Sequence, residues 1–530
     1  MKTLLRGGVV LTPSILSPAT AADPAAPVAT ALLVDDDRVL AVGPEAEARA
    51  DDADEVVELD GALVTPGFSD AHVHLTMTGQ GLDGVDLSGT RSVAEALSLV
   101  EQAARRTRGR PIYAHSWDET RWVEQRPVTA AELDRATYGG VVYMPRVDAH
   151  SASVSSAMAT VARVRDLDGW DGVGVVRRDA FAAVTNAFTS AITDVDRERY
   201  LDLALRSAAS RGLTLLHETG ASHLTSHDDI RHVLEVGRRP GVPDVVTYWG
   251  ELADDPATAS EVAEFLGVLG LAGDLCADGS FGSFTAHLQE HYAEQPHTGY
   301  GYLTVEQVRD HAIACTRAGL QAGGHVIGDA ALRTMAEGFR AAAEVVGVEA
   351  VRACRHRWEH VELPDAEVVS VMAELGIWAS VQPMFDGLWG GEDGMYAARL
   401  GIERALRAVP LRTLLDAGVP LALGSDSPVT PLGPWAAVRA GVWHHNPEQR
   451  LTVAEAVHAH TRAGYQLAGL EGGELVAGAP ATYVVWDDGA GGPVETGPDG
   501  LPVLDAPDHP LPVARRTVVS GRTAYQREGA

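Results

Sequence analysis

The chain has 530 residues, 45% of them apolar and 22% charged, with a formal net charge of −31. That length exceeds one ordinary domain and can bury a large core, while the acidity argues against phosphate backbones and anionic lipid surfaces as partners. Lys2 is the only lysine, and Cys276, Cys315 and Cys354 are few and scattered, which suits reduced thiols in a cytoplasm rather than a disulfide framework.

The first 22 residues combine an early lysine, apolar residues and an ATAA stretch like a secretory cleavage site. Arg6, Gly7, Gly8 and Pro13 interrupt any apolar signal core, so KTLLRGGVVLTP is read as a retained strand pair with a glycine turn. No apolar run approaches the roughly 20 residues of a membrane span. Residues 1–65 alternate short apolar strands with turns, a small β unit. After Pro66 come brief apolar runs separated by helix-length segments: GFSDAHVH, GLTLLHETG, VPDVVTYWG, GDLCADG, LQAGGHVIG, RHRWEHVE, IWASVQP and VPLALGSDS. With helices such as DRERYLDLALRSAASRG, TVEQVRDHAIACTRAG and IERALRAVPLRTLLDAG between them, residues 66–474 read as an α/β fold, a (β/α)8 TIM-type barrel. More than a hundred residues separate the first run from the second. That is far beyond a normal connection, so 80–195 is expected to be an insertion or lid subdomain over one barrel face. From 475 strands return, with a Pro/Gly-rich loop at 488–512. Because chain ends often meet, 1–65 and 475–530 are expected to build one composite β-sandwich domain.

Chance can supply a His-x-His pair among 20 histidines in 530 residues, so His72 and His74 need outside support. In a strand, residues i and i+2 share a face, and both imidazoles can then aim into the barrel mouth. His458 and His460 have the same spacing inside a helical stretch, where they diverge, and are read as non-ligands. The support comes from His325, His360 and Asp426, each at the end of a different run, where this fold keeps its chemistry.

Through TPGFSDAHVHL, SWDETRWVEQRPVTAAELD, RVDAHSAS, CADGSFGSFTAHL, AGGHVIGDAAL, RHRWEHVEL and LALGSDSPV, the chain resembles the amidohydrolase superfamily. Within it, the similarity is to the branch that includes N-substituted formamide deformylases (amidohydrolase family 3). The resemblance covers nearly the whole chain. It implies His72 and His74 as first-strand metal ligands, His325 and His360 on the fifth and sixth strands, and Asp426 on the eighth. Many binuclear relatives carry a carbamylated lysine on the fourth strand; here that position reads Asp274, and the single lysine at Lys2 excludes such a bridge. Two readings stay open: Asp274 supplies a carboxylate to the metals, or one metal is held by His72, His74, His325 and Asp426. Cys276 reads as a small buried side chain rather than a soft ligand. Asp278 is expected to orient a ligand or the substrate.

The implied function is hydrolysis of an amide or formamide-type C–N bond by a metal-activated water. Asp426 would serve as base, and His360 or His325 would stabilise the oxyanion if not consumed as a ligand. The cofactor expected is one or two divalent ions, zinc before iron or manganese. His217 and Glu218 are candidates to support the ligands, and otherwise cap a turn. Trp117, Trp122, Trp249 and Trp389 are candidates to wall a pocket for a small-molecule substrate, or else core filler. Asp148 and His150 match a gate-like DxH segment of the family, while Ser155 stands where the family usually has asparagine. Deaminase, esterase or lactonase, and isomerase chemistry on the same metal fold are the alternatives, followed by a non-catalytic scaffold. A cytoplasmic enzyme, with a homodimer as the assembly to test, completes the expectation.

Overall fold

The computed structural model describes residues 1–16, 28–107 and 109–528; the ATAA stretch lies outside them. KTLLRGGVV forms one strand, Lys2–Val10, and not a strand pair. Its partner Ala29–Asp35 runs alongside it, and the register shifts between Arg6 and Val10. Gly7, at φ 73°, therefore makes a bulge and not a reversal.

Eight strands from both ends of the chain share one sheet. Its order is Arg522–Gln526, Val513–Val519, Tyr483–Asp487, Leu63–Pro66, Lys2–Val10, Ala29–Asp35 and Arg38–Val42, with Glu55–Glu58 also paired to Lys2–Val10. The pleat sends successive side chains to opposite faces. Leu5, Leu32, Val64, Tyr483 and Val518 pack together on one, and Leu4, Leu33, Ala41 and Ala46 on the other.

A second eight-stranded sheet is parallel throughout, in the order of the sequence. Its strands are Phe68–Val73, Leu213–Ala221, Asp244–Gly250, Gly270–Leu271, Gln321–Val326, Arg357–His360, Trp378–Val381 and Leu421–Leu423, numbered one to eight below. Strand one meets the end of strand eight through a Val73–Ser427 bridge. The Asp426 N–H donates to His72 O at 2.8 Å and the His74 N–H to Ser427 O at 2.9 Å, nearly closing a TIM-type barrel. Strands covered on both faces need apolar residues on both, so all nine residues of strand two are buried.

Two expectations about the barrel are corrected as well. Strand four is Gly270–Leu271, upstream of GDLCADG, because Gly273 sits at φ 75° and turns the chain out of the sheet. Only Cys276 rejoins it, by a bridge to His325. IERALRAVPLRTLLDAG is two helices, Ile402–Ala405 and Leu411–Asp416, because Pro410 lacks an N–H and breaks the helix between them.

Between strands one and two, a five-stranded sheet runs in the order Val175–Arg177, Ser151–Val154, Val142–Pro145, Ile112–His115 and Val85–Asp86. Arg146 braces this unit from within, and Glu119 and Asp148 then join it to the barrel loops. Arg146 meets Asp118 at 3.1 Å, Glu119 at 2.8 Å and Asp148 at 3.1 Å. Arg399 meets Glu119 at 2.7 Å. Asp148 accepts from Ser280 at 2.7 Å and Ser283 at 2.8 Å, both in the loop after Asp278. Gly282 leaves room for this contact, since a Cβ there would lie 2.4 Å from Arg146 Nη1 and 2.5 Å from Asp148 Oδ2. No helix among the described residues is long and apolar enough to cross a membrane.

Candidate metal centre

His72 and His74 point to the same side of strand one, with ring centroids 5.2 Å apart. His72 Nε2 lies 3.5 Å from both Asp274 Oδ1 and Asp426 Oδ1. His74 Nε2 lies 3.2 Å from Asp274 Oδ2 and 3.1 Å from Asp426 Oδ1. His360 is 5.0 Å from His72 and 4.4 Å from His325, centroid to centroid. His325 Nε2–H donates to Gly279 O at 3.2 Å, leaving Nδ1 facing Asp274 Oδ1 at 4.0 Å. Two groupings bring ligand atoms within 4.8 Å of one another: His72 with Asp274 and His360, and His72 with His74 and Asp426.

Alternation along strand six would send His360 outward with Trp358, which packs against Phe339 at 5.4 Å. His360 instead adopts φ 71°, and the ring turns into the mouth. Asp426 likewise sits at φ 55°. Left-handed backbone at a non-glycine residue costs about 1–3 kcal/mol and persists where the surroundings impose it, as at a functional site.

These residues fit a divalent cation. His72 Nδ1 is occupied by Glu359 Oε2 at 2.9 Å, whereas its buried Nε2 has no hydrogen-bond partner among the described residues and faces two carboxylates. Imidazole nitrogens with carboxylate oxygens are a donor set for zinc and similar ions. The local field favours positive charge: burial pushes the His74 pKa down, but Asp274 and Asp426 outweigh it and raise the value to about 10. Asp426 is held below the ordinary carboxylate range because the imidazoles of His72, His74 and His360 overcome its burial.

A cavity of about 330 Å³ opens beside the cluster. His74, Asp274, His325, His360 and Asp426 form its floor, and Met77, Phe181, Leu224, Leu275 and Val429 supply apolar wall. His150 lines it too, its ring 4.8 Å from that of His325. Cys276 is half-buried on the wall, its Sγ 3.6 Å from His223 Nε2, and burial pushes the thiol well above its ordinary pKa.

Other expected site residues sit elsewhere. Trp117 is buried in the inserted unit, stacked on Trp122 at 5.7 Å with its N–H donated to Met144 O, and does not line the cavity. Trp249 is buried as well, while Trp389 borders a small adjoining void with His325 and His360. Asp278 does not line the cavity: it accepts backbone N–H groups of His287, Ile327 and Gly328 at 2.7–2.9 Å, anchoring the loop. His217 points into the barrel interior, where its Nδ1 accepts from Arg357 Nη1 at 3.0 Å. Glu218 accepts the Leu75 N–H at 2.6 Å, and burial raises its pKa to about 7. Ser155 caps helix Ser156–Val161 and accepts the Val142 N–H, so its hydroxyl is spent on structure.

Sequence reasoning missed Glu359, Arg357, Gln382 and His223. Gln382 Oε1 accepts from His360 Nδ1 at 2.8 Å. The signal for the first two was an acid and a base at alternate positions of a buried run. Burial pushes Glu359 upward, but Arg357 and then His72 hold it far below the carboxylate range.

The chain has relatives among known proteins. The chain is 28% identical to Protein LONG AFTER FAR-RED 3 of Arabidopsis thaliana over 510 residues, covering 88% of this chain and 86% of that protein. It is 25% identical to an N-substituted formamide deformylase of Arthrobacter pascens, covering 95% of this chain and 96% of the relative. Among solved structures, an uncharacterized metal-dependent hydrolase from Pyrococcus furiosus superposes with a TM-score of 0.69 at 26% identity, over 92% of this chain and 98% of that one. A family model described as Amidohydrolase family matches residues 55–525, and the chain belongs to that family.

Proposed function

We propose that this amidohydrolase hydrolyses an amide or formamide-type C–N bond of a small molecule that fits the 330 Å³ cavity, with one divalent cation, zinc, held at the strand ends. The observation that carries the reading is the bare, buried Nε2 of His72 facing Asp274 and Asp426. Both ligand groupings include His72, and one nitrogen lone pair serves one ion, which favours a single cation with Asp274 among its ligands. The N-substituted formamide deformylase among the relatives supports the choice of bond.

A divalent cation there supplies polarisation of the substrate carbonyl and an acidified water with pKa near about 7. Asp426 is positioned to take a proton from the attacking water and return it to the leaving nitrogen as the tetrahedral intermediate collapses. His360 uses its Nδ1–H on Gln382, so its Nε2 has no proton to give an oxyanion, and it serves better as a ligand than as an oxyanion donor. The apolar wall excludes water from the organic part of the substrate.

The test is elemental analysis of purified protein, followed by assays on N-formyl amines, acyl amino acids, esters and lactones. One zinc per chain, lost in His72→Ala, and turnover of formyl or acyl amines are expected. No bound metal at all would overturn the centre, and turnover of lactones alone would overturn the bond assignment.

A further inference from the structure

We propose that Arg357 and Glu359 are positioning residues that fix which ring nitrogen of His72 is offered to the cation; the proposal rests on the metal-centre reading above. Residues 357 and 359 alternate on strand six and so face the barrel interior together, and both are fully buried. Arg357 donates from Nε to Glu359 Oε1 at 2.5 Å and from Nη2 to Glu359 Oε2 at 2.8 Å. The same guanidinium reaches Ala71 O on strand one, His217 Nδ1 on strand two and Ser380 Oγ on strand seven, and lies 4.3 Å over the Tyr248 ring of strand three. One planar cation thus locks the Glu359 carboxylate of strand six against four other strands.

That carboxylate has a single remaining task. Glu359 Oε2 faces His72 Nδ1 at 2.9 Å, and a carboxylate accepts only, so the ring must carry its proton on Nδ1. In the neutral ring that binds a cation, Nε2 then holds the lone pair, aimed at the space between Asp274 and Asp426. Partners of this kind typically change metal affinity about 10–100-fold when removed. A purely structural ion pair would hold the strands together just as well, yet would leave the proton on His72 undetermined.

Two measurements separate these roles. Long-range 15N–1H spectra of cation-free, histidine-labelled full-length protein, with His72 assigned by His72→Ala, should show the Nδ1–H form. Zinc affinity, measured by competition with a chelator, should fall about 10–100-fold in the double variant Arg357→Met/Glu359→Leu, which removes both buried charges together with the acceptor for His72 Nδ1 and leaves neither charge unpaired. Arg357→Lys, which keeps the charge opposite Glu359, should retain the Nδ1–H form and most of the affinity. An Nε2–H form in the unmodified protein overturns the proposal even if no variant folds. Unchanged zinc affinity in a folded double variant overturns it as well. Should the unmodified protein take up no zinc, the metal reading falls, and the spectrum still decides the positioning role.

Discussion

Two residues at the barrel mouth owe their direction to backbone that side chains rarely adopt. His360 and Asp426 stand at φ 71° and 55°, and each turns a group into the cavity at the end of its strand. Asparagine tolerates left-handed backbone nearly as well as aspartate, so Asp426→Asn changes charge without moving the chain. We expect this variant to keep most of its metal by elemental analysis and to lose about 10²–10⁴-fold in turnover, the usual contribution of a general base. Full activity in a metal-loaded Asp426→Asn protein would remove Asp426 from the proton path. Strain also explains why the sequence could mark His360 as a ligand by its place in a motif but not by strand parity.

Helix Ala130–Thr137 shows how a single element is begun. Thr129 accepts the Glu132 N–H, Glu132 reaches back to the Thr129 N–H, and Arg126 clasps the same carboxylate at 2.7 Å. Thr129→Ala should cost about 1 kcal/mol, read as a lower thermal midpoint. The Arg126 hydrogen bonds, opposed by burial and reinforced by Thr129, depress the Glu132 pKa to about 2. Its contribution is therefore fully present above the unfolded glutamate pKa of about 4.3 and drains away as pH falls from there toward about 2. Glu132→Gln should flatten that part of the stability profile, and an unaltered acid limb would contradict the assignment. The TxxE spacing was visible in the sequence, whereas the clasp from Arg126 needed coordinates.

Across the whole molecule, the inserted unit meets the barrel through charges and not through apolar surface alone. Arg399 reaches Glu119 and the Ser280 and Ser283 hydroxyls reach Asp148 across the junction, while Arg146 holds Asp118, Glu119 and Asp148 in place from within the unit; Arg146, Asp118 and Asp148 are buried, which makes the loss of the cation severe. Breaking a buried pair from one side costs roughly 3–5 kcal/mol, so Arg146→Met should lower the thermal midpoint by several degrees and open residues 80–195 to limited proteolysis. Because Asp148 and His150 belong to the same segment and His150 lines the cavity, activity should fall alongside. A variant equally stable and equally resistant to protease would show that this network does not hold the unit down.

Seven of the eight barrel strands, the alternation that pairs His72 with His74 and the long gap before Leu213 were legible in sequence, because buried parallel strands read as apolar runs and side-chain direction follows a period of two. Asp274 could be named from its place in a motif, since chemistry survives there even where regular pairing ends at Gly273. Tertiary structure alone decided the rest. Trp117 and Asp278 carry suitable chemistry but are consumed by packing and by backbone amides. Arg357 and Glu359 acquire meaning only when strands one, two, three and seven close around them, and no local pattern in the chain encodes which strands will meet.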